Sequence, residues 1–324
     1  MPLFFDNIKL AMANLAMLYL IVAVGVFADR IGWFPEAAAR KCTELLFYII
    51  TPCVILRAFF TMEYSPAALR GLLIALGCGT LLHLTGILAS EPFFRKGKNP
   101  LDSILHYAAV YGNCGYMALP LAQALVGDEG VFYCSAVVLV FQMFSFTHGA
   151  YVMSGGIPGR RLAEGEARAR FPWRSLILNA GVLPVLVGFP LFALGLRLPE
   201  LVTQPVGWLA SMNTPLAMLM FGTYLSRTNF RAILRGKKLP ISLAVKLFAV
   251  PSATLAALLL AGVRGPLLHA MLIPASSPSA NSTVVFAAKY GNDAGYASQV
   301  VAVMSLLSIL TMPLMIAIGL TLAG

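Results

Sequence analysis

The sequence predicts an all-α membrane protein with ten transmembrane helices in two inverted five-helix repeats, in which helices 4 and 9 are broken. Three observations predict this class: an apolar composition, basic residues concentrated in alternate connections, and an internal repeat. Of the 324 residues, 59% are hydrophobic and 11% are charged, and the mean hydropathy is +0.82. Soluble domains carry about 25% charged residues, so this composition favours contact with lipid.

The spans are predicted from uncharged runs long enough for a tilted helix of roughly 20 residues. Nine runs meet this condition: 10–28, 71–90, 103–127, 131–159, 175–196, 201–226, 247–263, 265–288 and 294–324. A tenth run, 45–56, is short and alone fits a re-entrant segment equally well. The internal repeat extends it to a full span near 42–60. The first run is too long for the apolar part of a signal peptide and no cleavage motif follows it, so we interpret it as a span.

Basic residues in the connections predict the orientation. With ten spans, the odd-numbered connections hold seventeen Lys and Arg residues, whereas the even-numbered ones hold only Arg70, Arg197 and Arg264. Basic loops stay in the cytoplasm, so a multi-pass protein of the bacterial inner membrane with both termini outside is expected. The net charge of +10 is then explained by the membrane surface, and nucleic-acid binding is not expected.

An internal repeat divides the chain near its middle. At a shift of 163 residues, Thr51-Pro52 meets Thr214-Pro215 and His106 meets His269. At 164, Gly127-Asp128-Glu129 meets Gly291-Asn292-Asp293, and at 165 Asn14 meets Asn179. We therefore predict a first repeat at 1–153, a basic cytoplasmic connection at 154–174 and a second repeat at 175–324. Because each repeat has five spans, the second enters the membrane from the opposite side, which is typical of secondary transporters.

Spans 4 and 9 are poor continuous helices. Span 4 places glycines, an asparagine and Pro120 in its middle, and span 9 contains Pro274, Pro278 and a run of serines. In a membrane the freed backbone groups must find partners in the protein or in a water-filled cavity. Each broken span would supply a half-helix N-terminus with free N–H groups, which suits a small anion or carboxylate.

These features define the predicted substrate site. A Thr-Pro or Asn-Thr-Pro kink in spans 2 and 7 adds further candidates, although such kinks are often structural. The predicted substrate-binding residues are Gly112, Asn113, Gly115, Tyr116, Pro120, Pro274, Ser276, Ser277, Pro278, Ser279, Asn281, Ser282, Thr51, Pro52, Asn213 and Thr214.

Charged and titratable residues within the spans are few. His83 and His148 are candidate coupling residues, because histidine changes charge near physiological pH. Glu44, Arg57 and Lys246 are expected to snorkel or to pair at span ends.

Catalytic and metal motifs are missing from the sequence. It has no Walker A, HExxH, GxSxG or paired-aspartate motif, and its five cysteines form no CxxC pair. An enzyme, a metal site and a cofactor are therefore not expected. We predict a carrier of a small organic anion in the lipid bilayer, with a homodimer compatible with the sequence. The alternatives are a sodium-coupled symporter of a larger organic anion and an anion channel, and the coupling ion, proton or sodium, stays open.

Three stretches resemble the auxin efflux carrier (AEC) family. They are the Tyr-Gly-Asn-x-Gly-Tyr-x-x-Leu-Pro-Leu run at 111–121, the run at 215–222, and the late stretch from Pro274 to Ser298. The short central connection is similar to the bacterial branch of malonate-type and organic-acid permeases. The resemblance implies ten spans in inverted repeats, a crossover at spans 4 and 9, and a substrate carboxylate beside Asn113. Bile-acid sodium symporters share the general fold.

Overall fold

The structure, a computed structural model, describes residues 2–94, 100–155, 180–227 and 237–323. Thirteen helices are described: α1 (Pro2–Arg30), α2 (Glu36–Thr61), α3 (Pro66–Phe94), α4 (Pro100–Val110), α5 (Cys114–Leu125), α6 (Asp128–Met153), α7 (Leu183–Ala193), α8 (Glu200–Ser211), α9 (Asn213–Ser226), α10 (Leu239–Leu260), α11 (Gly265–Ser276), α12 (Ser282–Lys289) and α13 (Ala294–Ala323). No β-strand forms among these residues, so the predicted all-α class is confirmed. Five of the described segments, namely α2, α3, α6, α10 and most of α13, are individually long and apolar enough to cross a membrane.

Several helices contain a π-turn immediately before a proline. The wide turns span Leu46–Ile50 before Pro52, Cys114–Ala118 before Pro120, and Val245–Ala249 before Pro251. Proline cannot donate its backbone bond and crowds the preceding turn, and a π-turn relieves this by shifting the bonding register. The helices therefore continue past these prolines, and the short predicted span at 45–56 is part of a 26-residue helix.

The helices form two groups. In the first, α1 packs against α9, and α2 packs against α7, α8 and α9. In the second, α3 packs against α4, α6 and α10, while α11 packs against α6, α10 and α13. Each group combines corresponding helices of the two predicted repeats. The groups meet where α1 contacts α13, α2 contacts α6, and α9 contacts α5.

Glycines bring α1 and α9 into close contact in the first group. A Cβ atom added to Gly222 would collide with the backbone oxygen of Val22, and one added to Gly25 would collide with that of Leu219. Close backbone approach at small residues is a common way for membrane helices to associate. The same helix pair is joined at one end by Arg227, whose Nη2 donates to Asp29 Oδ1 at 2.7 Å.

Some helices begin, end or break at residues other than the ends of the uncharged runs that predicted them. The helix α10 begins at Leu239, eight residues before the predicted run 247–263, because Lys246 lies inside it. The predicted span 4 consists of α4 and α5, and span 9 consists of α11 and α12, with breaks at 111–113 and 277–281. Gly127 and Gly291, which the repeat aligns, both have positive φ values, of 82° and 70°. Most of the predicted connection 154–174, and Asn179, lie outside the described residues, so the ten-span count and the repeat stay predictions.

A candidate substrate site at the helix crossover

The two broken helices are joined through their backbones. The N–H of Asn113 donates to the carbonyl oxygen of Pro278 at 2.7 Å, and the N–H of Ala280 donates to that of Tyr111 at 2.9 Å. Gly112 and Ser279 therefore face each other as an isolated antiparallel bridge. Both segments are fully interrupted here, and each provides the backbone partners that the other lacks. Two of the N–H groups and two of the carbonyl oxygens released by the breaks are thus satisfied inside the protein, as the membrane requires.

Asn113 starts the half-helix α5. Its side-chain Oδ1 accepts a hydrogen bond from the N–H of Tyr116 at 3.0 Å, which is an N-cap. Because the oxygen is used in this way, the amide Nδ2 is the group that can donate to a ligand. Asn113 is 8% exposed.

Asn281 occupies the corresponding place before α12, but its side chain makes no capping bond. The first backbone bond of α12 runs from the N–H of Thr283 to Ala280, and the next from Val284 to Asn281. The N–H of Ser282 therefore precedes the helical ladder, as expected at a helix N-terminus. The two half-helix N-termini each carry partial positive charge, and both begin at the crossover.

A cavity of about 40 Å³ lies beside both asparagines, between the crossover and α9. By the volume that one water requires, it has room for on the order of three waters. Its wall combines two amides and a serine with a predominantly apolar and aromatic surface. The lining residues are Asn113, Tyr116, Met117, Ala217, Met218, Met220, Phe221, Tyr224, Asn281 and Ser305.

The structure places the sequence-predicted residues in three positions. Asn113, Tyr116 and Asn281 line the cavity. The residues of the crossover itself and its immediate flanks are Gly112, Gly115, Pro274, Ser276, Ser277, Pro278, Ser279 and Ser282. Three of the serines form side-chain hydrogen bonds: Ser277 Oγ donates to the carbonyl oxygen of Pro274 at 2.7 Å, Ser279 shares a bond with Thr283 at 2.9 Å, and Ser282 accepts from Tyr107 at 3.0 Å.

The Thr-Pro candidates lie outside the cavity lining. Thr51 and Pro52 belong to the kink of α2, and Thr51 is buried. Thr214 Oγ1 donates to the carbonyl oxygen of Pro120 at 3.2 Å and so connects α9 to α5. The side-chain amide of Asn213 is buried without a hydrogen-bond partner.

Lys246 contradicts the expectation that it snorkels or pairs at a span end. It lies in the π-turn of α10 and is 0% exposed, and its Nζ has no hydrogen-bond partner. The other two residues do pair: Arg57 with Asp128 at 3.3 Å and Glu44 with Lys41 at 3.1 Å. The prediction for Lys246 was wrong because a search for uncharged runs always places a charge at the end of a run.

Of the two candidate coupling histidines, His83 is buried and His148 is half-buried. His83 is fully buried, with Nδ1 2.6 Å from the carbonyl oxygen of Gly79. His148 Nδ1 lies 2.9 Å from the hydroxyl of Tyr111. His148 also forms a group with Glu91 and His106, whose ligand atoms lie within 4.8 Å of one another.

The part of the cavity wall that comes from α9 and α13 was not predicted from the sequence. Ala217, Met218, Phe221 and Tyr224 lie on one stretch of α9, and Ser305 lies on α13. Apolar residues within an apolar span carry no local signal of a site. The run at 215–222, which resembles a known family, was the one indication that this stretch matters.

Comparisons with known proteins identify the family of the chain. The family described as "Membrane transport protein" matches residues 10–316. An uncharacterized transporter of Methanocaldococcus jannaschii is 25% identical over 278 residues, which are 85% of this chain and 87% of that protein. Auxin efflux carrier component 3a of Oryza sativa subsp. japonica is 27% identical over 122 residues, which are 36% of this chain and 20% of that protein. The resemblance to the auxin efflux carrier family is thereby confirmed, and the chain belongs to this family of membrane transport proteins.

Proposed function

We propose that this membrane transporter is a secondary active carrier that moves a small organic anion, with a carboxylate bound at the crossover of α4–α5 and α11–α12. The observation that carries the proposal is the convergence of two half-helix N-termini and two asparagine amides on one cavity. Helix N-termini bind anions through free N–H groups and the helix dipole. Among the described residues that line the cavity none is Asp or Glu, so the described wall carries no side-chain charge that would repel a carboxylate.

The apolar wall supports a substrate with a hydrocarbon part. Tyr116, Phe221 and Tyr224 bring aromatic rings to the cavity, and three methionines add adaptable surface. The two helix groups, which meet at the cavity, are the bodies that would move relative to each other in alternating access.

Uptake into proteoliposomes tests this proposal. We expect saturable uptake of a labelled short-chain mono- or dicarboxylate, competed by close carboxylate analogues and not by the matching neutral amides. Competition by cations alone would refute the anion site. Ion current without saturable uptake would favour the alternative of an anion channel.

A further inference from the structure

The ammonium of Lys246 is a buried charged group that the proposed anion site does not account for. It lies seven residues into α10, which is about 10 Å along the helix axis. The side chain is completely buried and its Nζ has no hydrogen-bond partner. No carboxylate forms an ion pair with it in the described part of the chain. A buried, unpaired charge within a membrane span is costly and marks a functional site by default.

Lys246 lies on the same face of α10 as two residues that bond to α4, and this places it near the crossover. Lys238, which immediately precedes α10, donates from Nζ to Asp102 at 2.7 Å, and Ser242, four residues later, donates from Oγ to the carbonyl oxygen of Leu105 at 2.6 Å. Lys246 is the next residue in this series. The first two bonds attach α10 along α4, so the third side chain lies near the point where α4 ends.

Gly112 and Ser277 define the immediate surroundings of the ammonium. A Cβ atom added to Gly112 would lie 2.6 Å from Lys246 Nζ and 2.7 Å from Ser277 Oγ. Gly112 follows the last residue of α4 by two positions, and Ser277 directly follows α11. The titratable side chains that interact electrostatically with Lys246 are Cys114 and His83.

The crossover therefore has two electrical poles. The N-termini of α5 and α12 form the positive pole beside the cavity. The C-termini of α4 and α11, which carry partial negative charge, form the negative pole, and the Lys246 ammonium lies there. Half-helix C-termini and unwound carbonyls are the groups that hold a coupling cation in transporters with broken helices.

We propose that Lys246 is a built-in cation that takes the place of a bound metal ion at the negative pole of the crossover. The inference rests on the proposed anion site and extends it: the protein's own ammonium balances the negative pole, so transport does not depend on sodium. Gly112 leaves room for this ammonium, because a Cβ atom at this position would lie only 2.6 Å from Lys246 Nζ.

Two readouts test the proposal, and one is independent of transport. The first is the Tm of purified protein in chloride salts of sodium, potassium, choline and methylammonium at equal ionic strength. The wild-type Tm should be the same in all four salts. Lys246→Ala should be stabilised by methylammonium or sodium by on the order of 3 °C over choline, because a small cation refills the vacated place. Lys41→Met, which removes an exposed lysine, is the matched control and should respond like the wild type.

The second readout is carboxylate uptake. Wild-type rates in sodium and choline should agree within about two-fold, Lys246→Met should lose at least ten-fold, and methylammonium should restore part of the activity of Lys246→Ala. Wild-type uptake or Tm that requires sodium would overturn the proposal, as would full activity of Lys246→Met. If the wild type moves no carboxylate, the proposed function fails, and the Tm comparison still decides the role of Lys246.

Discussion

The backbone N–H of Asn113 donates to the carbonyl oxygen of Pro278, 2.7 Å away, and this bond joins the two broken helices where they cross. The same residue caps α5 with its side chain, through Oδ1 and the N–H of Tyr116. The backbone of Asn113 is therefore fixed by the crossover whatever its side chain. Substitutions at this position can separate the cap from contact with a ligand.

The first prediction compares Asn113→Ala with Asn113→Ser. Alanine removes the N-cap, which should lower the stability by about 1 kcal/mol, and removes the Nδ2 donor. Loss of a hydrogen bond to a charged ligand should weaken binding about ten-fold or more. Serine restores a capping oxygen but lacks the amide Nδ2, and its hydroxyl, on a shorter side chain, extends less far toward a ligand, so it should recover Tm without recovering the wild-type affinity. Recovery of both by serine would make the role of Asn113 structural.

The second prediction concerns Gly112. A methyl group there would meet the ends of two side chains, Lys246 and Ser277. Because side-chain ends can shift, Gly112→Ala should change Tm by only a few degrees, yet uptake should fall at least ten-fold as the ammonium is displaced. Gly77→Ala is the matched control, since nothing lies within 4 Å of its added Cβ. Normal uptake by Gly112→Ala would argue against the close fit of Lys246.

Sequence and structure agree where backbone chemistry leaves a signal. Glycines and prolines in spans 4 and 9 predicted two interruptions, and the structure has them at 111–113 and 277–281. The pairing of Asn113 with Pro278 could not be predicted, because it depends on how two distant segments cross. The burial of Lys246 could not be predicted for a related reason. Whether a charged residue lies within a span or at its end depends on how the helices pack, and the sequence alone does not show this. Most of the α9 residues in the cavity wall are apolar, and within an apolar span the sequence does not distinguish them from residues that face lipid.

The third prediction tests the contact between α1 and α9. A Cβ at Gly222 would meet the backbone at Gly25 Cα and Val26 N, both at 2.8 Å, as well as the oxygen of Val22. Backbone atoms within a helix cannot move aside as the end of a side chain can. Gly222→Ala should therefore destabilise the protein by about 1–3 kcal/mol and lower Tm by several degrees. Gly207→Ala, whose added Cβ meets nothing within 4 Å, should leave Tm unchanged. Equal Tm values for the two variants would refute this close packing.

The fourth prediction is the orientation in the membrane. Arg40 and Arg197 are 73% and 92% exposed, and the distribution of basic residues places them on opposite sides, with Arg40 in the cytoplasm. A membrane-impermeant maleimide applied to intact cells should label Arg197→Cys and spare Arg40→Cys until the cells are opened. The unsubstituted protein, with its native cysteines, gives the background. Labelling of both from outside would contradict the predicted topology.

Asn113→Asp is the measurement that tests the anion site most directly. Aspartate keeps the shape of asparagine and an oxygen that caps the N–H of Tyr116, but it puts a negative charge into the cavity. We predict a Tm within a few degrees of the wild type, together with loss of carboxylate binding and uptake of at least ten-fold. A folded Asn113→Asp protein that takes up the carboxylate with wild-type KM and rate would contradict an anion site at the crossover.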